Sequence, residues 1–257
     1  MKNMEMSESL KKFFEMLKRQ ILLDQYIHPK NMYFTKHSEM ETFLIQNYFA
    51  SFSELNEIMD CFFWKHWTKE AKEGKYFCLK STQEELKFEV VDLLHFLLQL
   101  TYNIVFYFAN YNEASDNFKE IKTFFEKLNK EKILELIKFE NLELEYSMQR
   151  ELFSNISFYN FWLYDYEKEA NDKSVYSLLS MSENYVNLIK NFKKLKTKNE
   201  IEDIFSQIYK DLNQIWILFF KFCFMIDFDY EDLYQKYITK NKINIKRQNE
   251  NYAQEKK

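Results

Sequence analysis

The chain has 257 residues, with a single glycine, a single proline and a formal net charge of −4. So few turn residues exclude a glycine-rich phosphate loop and weigh against strand-rich and dinucleotide-binding folds, which leaves an all-α fold. The mild acidity offers no basic surface for wholesale nucleic-acid binding, and Cys61, Cys78 and Cys223, without a CxxC pair, suggest neither a disulfide framework nor a zinc site.

The first predicted helix covers residues 7–26, where Leu10, Phe13, Phe14, Leu17, Ile21 and Leu22 recur at helical spacing. Pro29 closes it. A second helix is expected over 39–67. It carries Glu54 and Glu57 three residues apart, then Asp60 three further on, and ends in the aromatic and basic WKHW at 64–67. Residues 69–80 read as a charged loop around Gly74. Ser81 and Thr82 then offer N-caps, with Glu84 and Glu85 three residues on, and open a helix that runs to about residue 110. This helix carries Glu89 and Asp92, again three apart. Residues 111–200 hold several amphipathic segments without a catalytic constellation. A long helical stretch follows over 200–228, and a final segment from about 230 ends in a polar tail, 249–257, expected to be flexible. No linker composition or internal repeat divides the chain, so 1–257 reads as one domain of seven or eight helices.

Two apolar stretches invite comparison with membrane spans. Residues 90–109 contain Asp92, His95, Gln99 and Asn103 at three- and four-residue steps, a polar stripe that suits a buried helix facing a wet site. Residues 215–226 are too short and contain Lys221. The N-terminal MKNMEMSESLKKFF has no signal-peptide apolar core, and the cysteine usage fits a reduced compartment, so a cytoplasmic protein without a membrane partner is expected.

The two acid pairs carry the chemistry. Residues at i and i+3 share a helix face, so each pair presents two carboxylates together. Glu54, Glu57 and Asp60 also fit a solvated acidic stripe. Glu89 and Asp92 are harder to read that way, because Phe88, Val90, Val91, Leu93, Leu94, Phe96 and Leu97 surround them. Carboxylates in such a helix need ion pairs or a cation, and close like charges oppose one another unless a cation is present. Mg²⁺, which takes oxygen ligands, is the expected ion. His95 reads as a hydrogen-bonded core residue. In WKHW, Trp64 and Trp67 read as a helix end or as a wall for a base, with Lys65 near phosphate. Near the C-terminus Lys240, Asn244 and Arg247 step by four and three along one face, with amides between the bases, a mixture suited to phosphate and sugar.

Three blocks together resemble the all-α, dimeric dUTPase group of the MazG-like NTP pyrophosphatase superfamily. ELNEIMDCFFWKHW (54–67) looks like its first motif, an ExxE helix leading to a WKxW end. FEVVDLLHFLL (88–98) looks like its ExxDxxHF motif, and YITKNKINIKRQNENY (237–252) like its C-terminal KNxxNxxRQxxGY block. The likeness covers roughly the first 110 and last 60 residues and implies a multi-helix bundle of the all-α NTP pyrophosphatase type. By match it implies Mg²⁺ on Glu54, Glu57, Glu89 and Asp92, with Glu57 orienting the attacking water. It implies phosphate and sugar contacts from Lys240, Asn244, Arg247 and Tyr252. Gln20 matches a base-reading glutamine, whereas Asp24 stands where the pattern has asparagine, and Asn251 where it has glycine.

The implied reaction is hydrolysis of dUTP, and also dUDP, to dUMP by a homodimer. The runner-up within the same chemistry is a dCTP or mixed dCTP/dUTP pyrophosphatase. The runner-up from another class is a non-catalytic helical binding protein.

Overall fold

A computed structural model describes residues 8–27, 36–75, 78–111, 176–195 and 201–250. Among these the chain is helical, with no strand and one isolated antiparallel bridge, between Phe62 and Leu79. The helices are α1 (Glu8–Ile27), α2 (His37–Asp60), the single turn α3 (Lys69–Lys72), α4 (Gln83–Tyr111), α5 (Tyr176–Lys194), α6 (Ile201–Met225) and α7 (Tyr230–Asn249). The expected helices at 7–26, 81–110, 200–228 and beyond 230 are all present, and α5 is one of those expected within 111–200. The remaining expectations for 112–175, and the tail beyond 250, lie outside the described residues.

The chain divides into two compact units. One comprises Met1–Thr42, Leu98–Asp165 and Ile238–Lys257, the other Phe43–Leu97 and Tyr166–Tyr237. In the first, α1 buries Phe13, Met16, Leu17 and Leu22, and the C-terminal half of α4 buries Leu100, Ile104 and Phe106. Arg19 of α1 is buried as well, held by Glu15 one turn earlier at 2.8 Å. In the second, α5 packs on α6, and Leu188 and Phe192 of α5 and Ile208, Leu212 and Phe219 of α6 are fully buried. Trp216 is fully buried there, with Phe220 stacked on it at 5.5 Å.

Within the second unit α2 and α4 run antiparallel. Asn47 of α2 donates to the Phe96 carbonyl of α4 at 3.3 Å, and beyond the end of α2 the Cys61 carbonyl accepts from the amides of Lys80 and Ser81 at 2.7 and 3.2 Å. Rising numbers on one helix thus meet falling numbers on the other. The start of α4 is fixed by a reciprocal cap. The Thr82 amide donates to the Glu85 carboxylate at 2.8 Å, and the Glu85 amide donates to Oγ1 of Thr82 at 3.1 Å.

α2 stops at Asp60, seven residues short of the expected end at Trp67. The chain leaves helical geometry so that Phe62 can bridge to Leu79 and the Phe63 amide can donate to the Cys78 carbonyl at 3.0 Å. The expected charged loop contains α3, and after it Gly74 takes a positive φ of 81° that glycine tolerates best.

α6 ends without a glycine. Asp227 adopts a φ of 52°, its amide donates to Phe224 at 3.1 Å, and the Phe228 amide reaches back to Cys223 at 2.9 Å. This is the Schellman pattern, with aspartate where glycine is usual. Asp229 then caps α7 by accepting from the Asp232 amide at 2.8 Å. Lys87 of α4 meets Asp232 of α7 at 2.6 Å, and Lys236 of α7 meets Glu84 of α4 at 2.6 Å.

The stretch Gln83–Phe108 of α4 is long and apolar enough to cross a membrane by length and composition, and 83% of its most apolar window is buried inside the protein, as in a core helix.

Candidate metal centre

Glu54 projects from the last two turns of α2, and Glu89 and Asp92 from the second and third turns of α4. Antiparallel packing brings these stretches together. One carboxylate oxygen from each of Glu54, Glu89 and Asp92 lies within 4.8 Å of the other two, and all three side chains are half-buried. The apolar neighbours explain why they converge. Leu55 and Ile58 on α2 and Val90, Leu93 and Leu94 on α4 are buried, so burying these faces carries the acids to the margin of the same interface.

Three of the four expected metal acids therefore meet. Glu57, one turn beyond Glu54, is exposed and stands outside that group. Asp60 is exposed too and is engaged elsewhere, accepting from the Trp64 indole at 3.0 Å and pairing with Lys65 at 3.9 Å. Cys61, just past the end of α2, feels the charge of Glu89. Burial pushes its thiol up, and the charges of Glu89, Glu85 and Asp60 add to the shift, while a hydrogen bond to Ser81 opposes it.

The donor set suits a hard divalent cation. It offers only carboxylate oxygens, partly shielded from water and open enough for solvent or phosphate oxygens to complete a shell, which is how Mg²⁺ is usually held. Nitrogen or sulfur ligands, which would favour zinc or copper, do not belong to the group.

The WKHW segment forms an aromatic corner just past α2. The rings of Trp64 and Trp67 meet edge to face at 6.3 Å, and Lys65 Nζ lies 5.3 Å from the Trp64 ring. Trp67 is 59% exposed, so part of its indole is within reach of solvent or a ligand.

In the other unit, Gln20 and Asp24 sit one turn apart on α1, both buried. Gln20 Nε2 donates to Asp24 Oδ1 at 3.0 Å, and the Tyr102 hydroxyl donates to Oδ2 at 2.6 Å. Burial pushes the Asp24 carboxyl up to about 6, against the opposing effect of hydrogen bonds from Tyr102, Gln20 and Gln99. On α7, Lys240 and Asn244 are half-buried and Arg247 is exposed, while Tyr252 lies outside the described residues. His95 is buried, as expected of a core histidine, with its ring 4.7 Å from that of Tyr237.

Sequence reasoning missed Tyr102, the partner of Asp24, and the polar group of Asn47 and Tyr185, two turns along α2 from Glu54. The Tyr185 hydroxyl, on α5, donates to Asn47 Oδ1. The only sequence signal for Asn47 is its spacing, two turns before Glu54 on the same face of α2.

No curated protein and no solved structure matches the chain. The family model described as dUTPase matches residues 12–252, nearly the whole length. With an all-helical fold and a carboxylate trio drawn from the two expected helices, the chain belongs to the dUTPase family and is a dUTP diphosphatase of the all-α type.

Proposed function

We propose that this enzyme hydrolyses dUTP, and also dUDP, to dUMP in a Mg²⁺-dependent reaction, with pyrophosphate leaving from dUTP. The observation that carries the reading is the convergence of Glu54, Glu89 and Asp92 to within 4.8 Å of one another. These three would hold the ion. The chemistry it supplies is neutralisation of charge on the phosphate oxygens.

The protein's own groups do the rest. Glu57, exposed one turn from Glu54, orients the attacking water and accepts its proton. Glu54 lends it electrostatic support from the same helix face. Lys240, Asn244, Arg247 and Tyr252 contact the phosphates and sugar, an assignment that rests on the family resemblance of their block. Trp64 and Trp67 wall the base, and Lys65 approaches a phosphate. Gln20 and Asp24 read the base edge. The active form is a homodimer in the cytoplasm, without nucleic-acid or membrane partners.

Asp24 favours a second reading. An ionised carboxylate accepts hydrogen bonds only, and cytosine offers an amino donor where uracil offers a carbonyl. A dCTP or mixed dCTP/dUTP pyrophosphatase is therefore the competing substrate assignment.

Release of pyrophosphate from each of the four canonical dNTPs and from dUTP, with and without Mg²⁺, tests both readings. The expected result is turnover of dUTP above all others, abolished by chelation. Faster turnover of dCTP would replace the uracil assignment, and full activity after chelation would remove the metal from it.

A further inference from the structure

We propose that Asn47 and Tyr185 are positioning residues that lock the register of α2 on α4 and so hold Glu54 opposite Glu89 and Asp92; the inference rests on the metal reading above. Asn47 is buried to 2% exposure, and its amide is used at both ends. Nδ2 donates to the Phe96 carbonyl of α4, and Oδ1 accepts from the Tyr185 hydroxyl of α5. Tyr185 is buried to the same degree. Its ring lies 5.5 Å from that of Tyr48, whose own hydroxyl is 3.2 Å from Oγ of Ser182 on α5.

The spacing ties this polar group to the acids. Asn47 and Glu54 are seven residues apart on α2, and Glu89 and Phe96 are seven apart on α4. Seven residues are two turns, about 10 Å of helix. The Asn47–Phe96 contact and the Glu54–Glu89 contact are thus two rungs of one antiparallel alignment, two turns apart on both helices.

Apolar packing alone does not specify that alignment. Both helices bury apolar side chains of similar shape at helical spacing, Leu44, Leu55 and Ile58 on α2 and Val90, Leu94 and Leu97 on α4. A shift of one turn would bury a comparable surface, yet it would carry Glu54 about 5 Å along α4 and break the trio. The same shift would take Asn47 Oδ1 away from the Tyr185 hydroxyl and leave it buried without that donor. A buried asparagine selects one register among apolar alternatives for this reason, as it does in coiled coils.

The test compares Asn47→Leu and Tyr185→Phe with the unaltered protein. The readout is affinity for Mn²⁺ alone, followed through the electron paramagnetic resonance of the free ion. Ile58→Val, a truncation of a fully buried apolar side chain on α2, controls for loss of packing, and Glu54→Gln for loss of a ligand. The expected result is metal binding weakened 10- to 100-fold in Asn47→Leu, the usual scale for groups that orient metal ligands, and several-fold in Tyr185→Phe. Helical circular dichroism and cooperative melting are retained, and Ile58→Val binds as before. If Asn47→Leu or Tyr185→Phe bound Mn²⁺ normally while Glu54→Gln did not, the register lock would be overturned and the metal centre would stand. Equal weakening in Ile58→Val would also overturn it. Unchanged binding in Glu54→Gln would remove the metal reading, and the lock with it.

Discussion

The Tyr102 hydroxyl donates to the Asp24 carboxylate at 2.6 Å, joining α4 to α1 through an acid that is only 7% exposed. Burial outweighs three hydrogen bonds there and raises the carboxyl from 3.8 to about 6. An acid raised in the folded state favours folding in its neutral form. The stability it contributes is complete below 3.8 and is lost as pH rises towards and through about 6. A shift of this size corresponds to roughly 3 kcal/mol, since one pKa unit is about 1.4 kcal/mol. Asp24→Asn removes the titrating charge and keeps an acceptor for Tyr102. Urea unfolding across pH 4 to 8 should show the variant gaining on the unaltered protein through that window and holding a constant lead above it. A difference independent of pH would exclude Asp24 as the source.

Glu54 and Glu57 share a face of α2 but differ in surroundings. Glu54→Gln removes one of three clustered carboxylates and should weaken Mg²⁺ binding in calorimetric titration. Glu57→Gln should leave that affinity nearly unchanged and lower kcat by roughly 10²- to 10⁴-fold, the range for a lost general base. Equal effects of the two variants on metal affinity would place Glu57 among the ligands instead.

Thr82 and Glu85 cap α4 through two reciprocal hydrogen bonds. Thr82→Ala should cost about 1 kcal/mol of stability, read as a lower urea midpoint at unchanged slope. The acids of α4 lie two to three turns further on, so kcat at saturating metal should hold. A fall in kcat at unchanged stability would show that the cap acts on the acids.

Asp227 occupies a left-handed conformation that costs an L-residue about 1 kcal/mol and glycine almost nothing. Asp227→Gly should raise the melting temperature by a few degrees, with no change in turnover. Asp227→Val, β-branched at the same φ, should lower it, and the opposite order would refute the assignment of strain to this residue.

Local chemistry was legible in the sequence where it is written in neighbouring residues. Thr82 with Glu85 announced the start of α4, and Glu89 with Asp92, inside an apolar run, announced two members of the acid trio. What escaped the sequence depends on distant partners. α2 ends at Asp60 because Phe62 bridges to Leu79, seventeen residues on, and nothing in WKHW itself forbids another two turns of helix. Spacing makes Glu54 and Glu57 equivalent; only the position of α4 separates them, closing on one and leaving the other in water. Gln20 and Asp24 were reached through the family resemblance, but their burial and the phenol of Tyr102 were not, because Tyr102 lies 78 residues away from Asp24.

The Cys61 carbonyl, shared by the amides of Lys80 and Ser81, ties off everything between them as a closed excursion. Because that knot sits at the neck, the length of chain looped out beyond it has little leverage on how far Glu54 stands from Glu89. Loop closure grows only slowly more costly with length. Residues 69–75 are therefore a place where this scaffold can accept foreign sequence, such as a reporter peptide or an affinity tag, with its acids undisturbed.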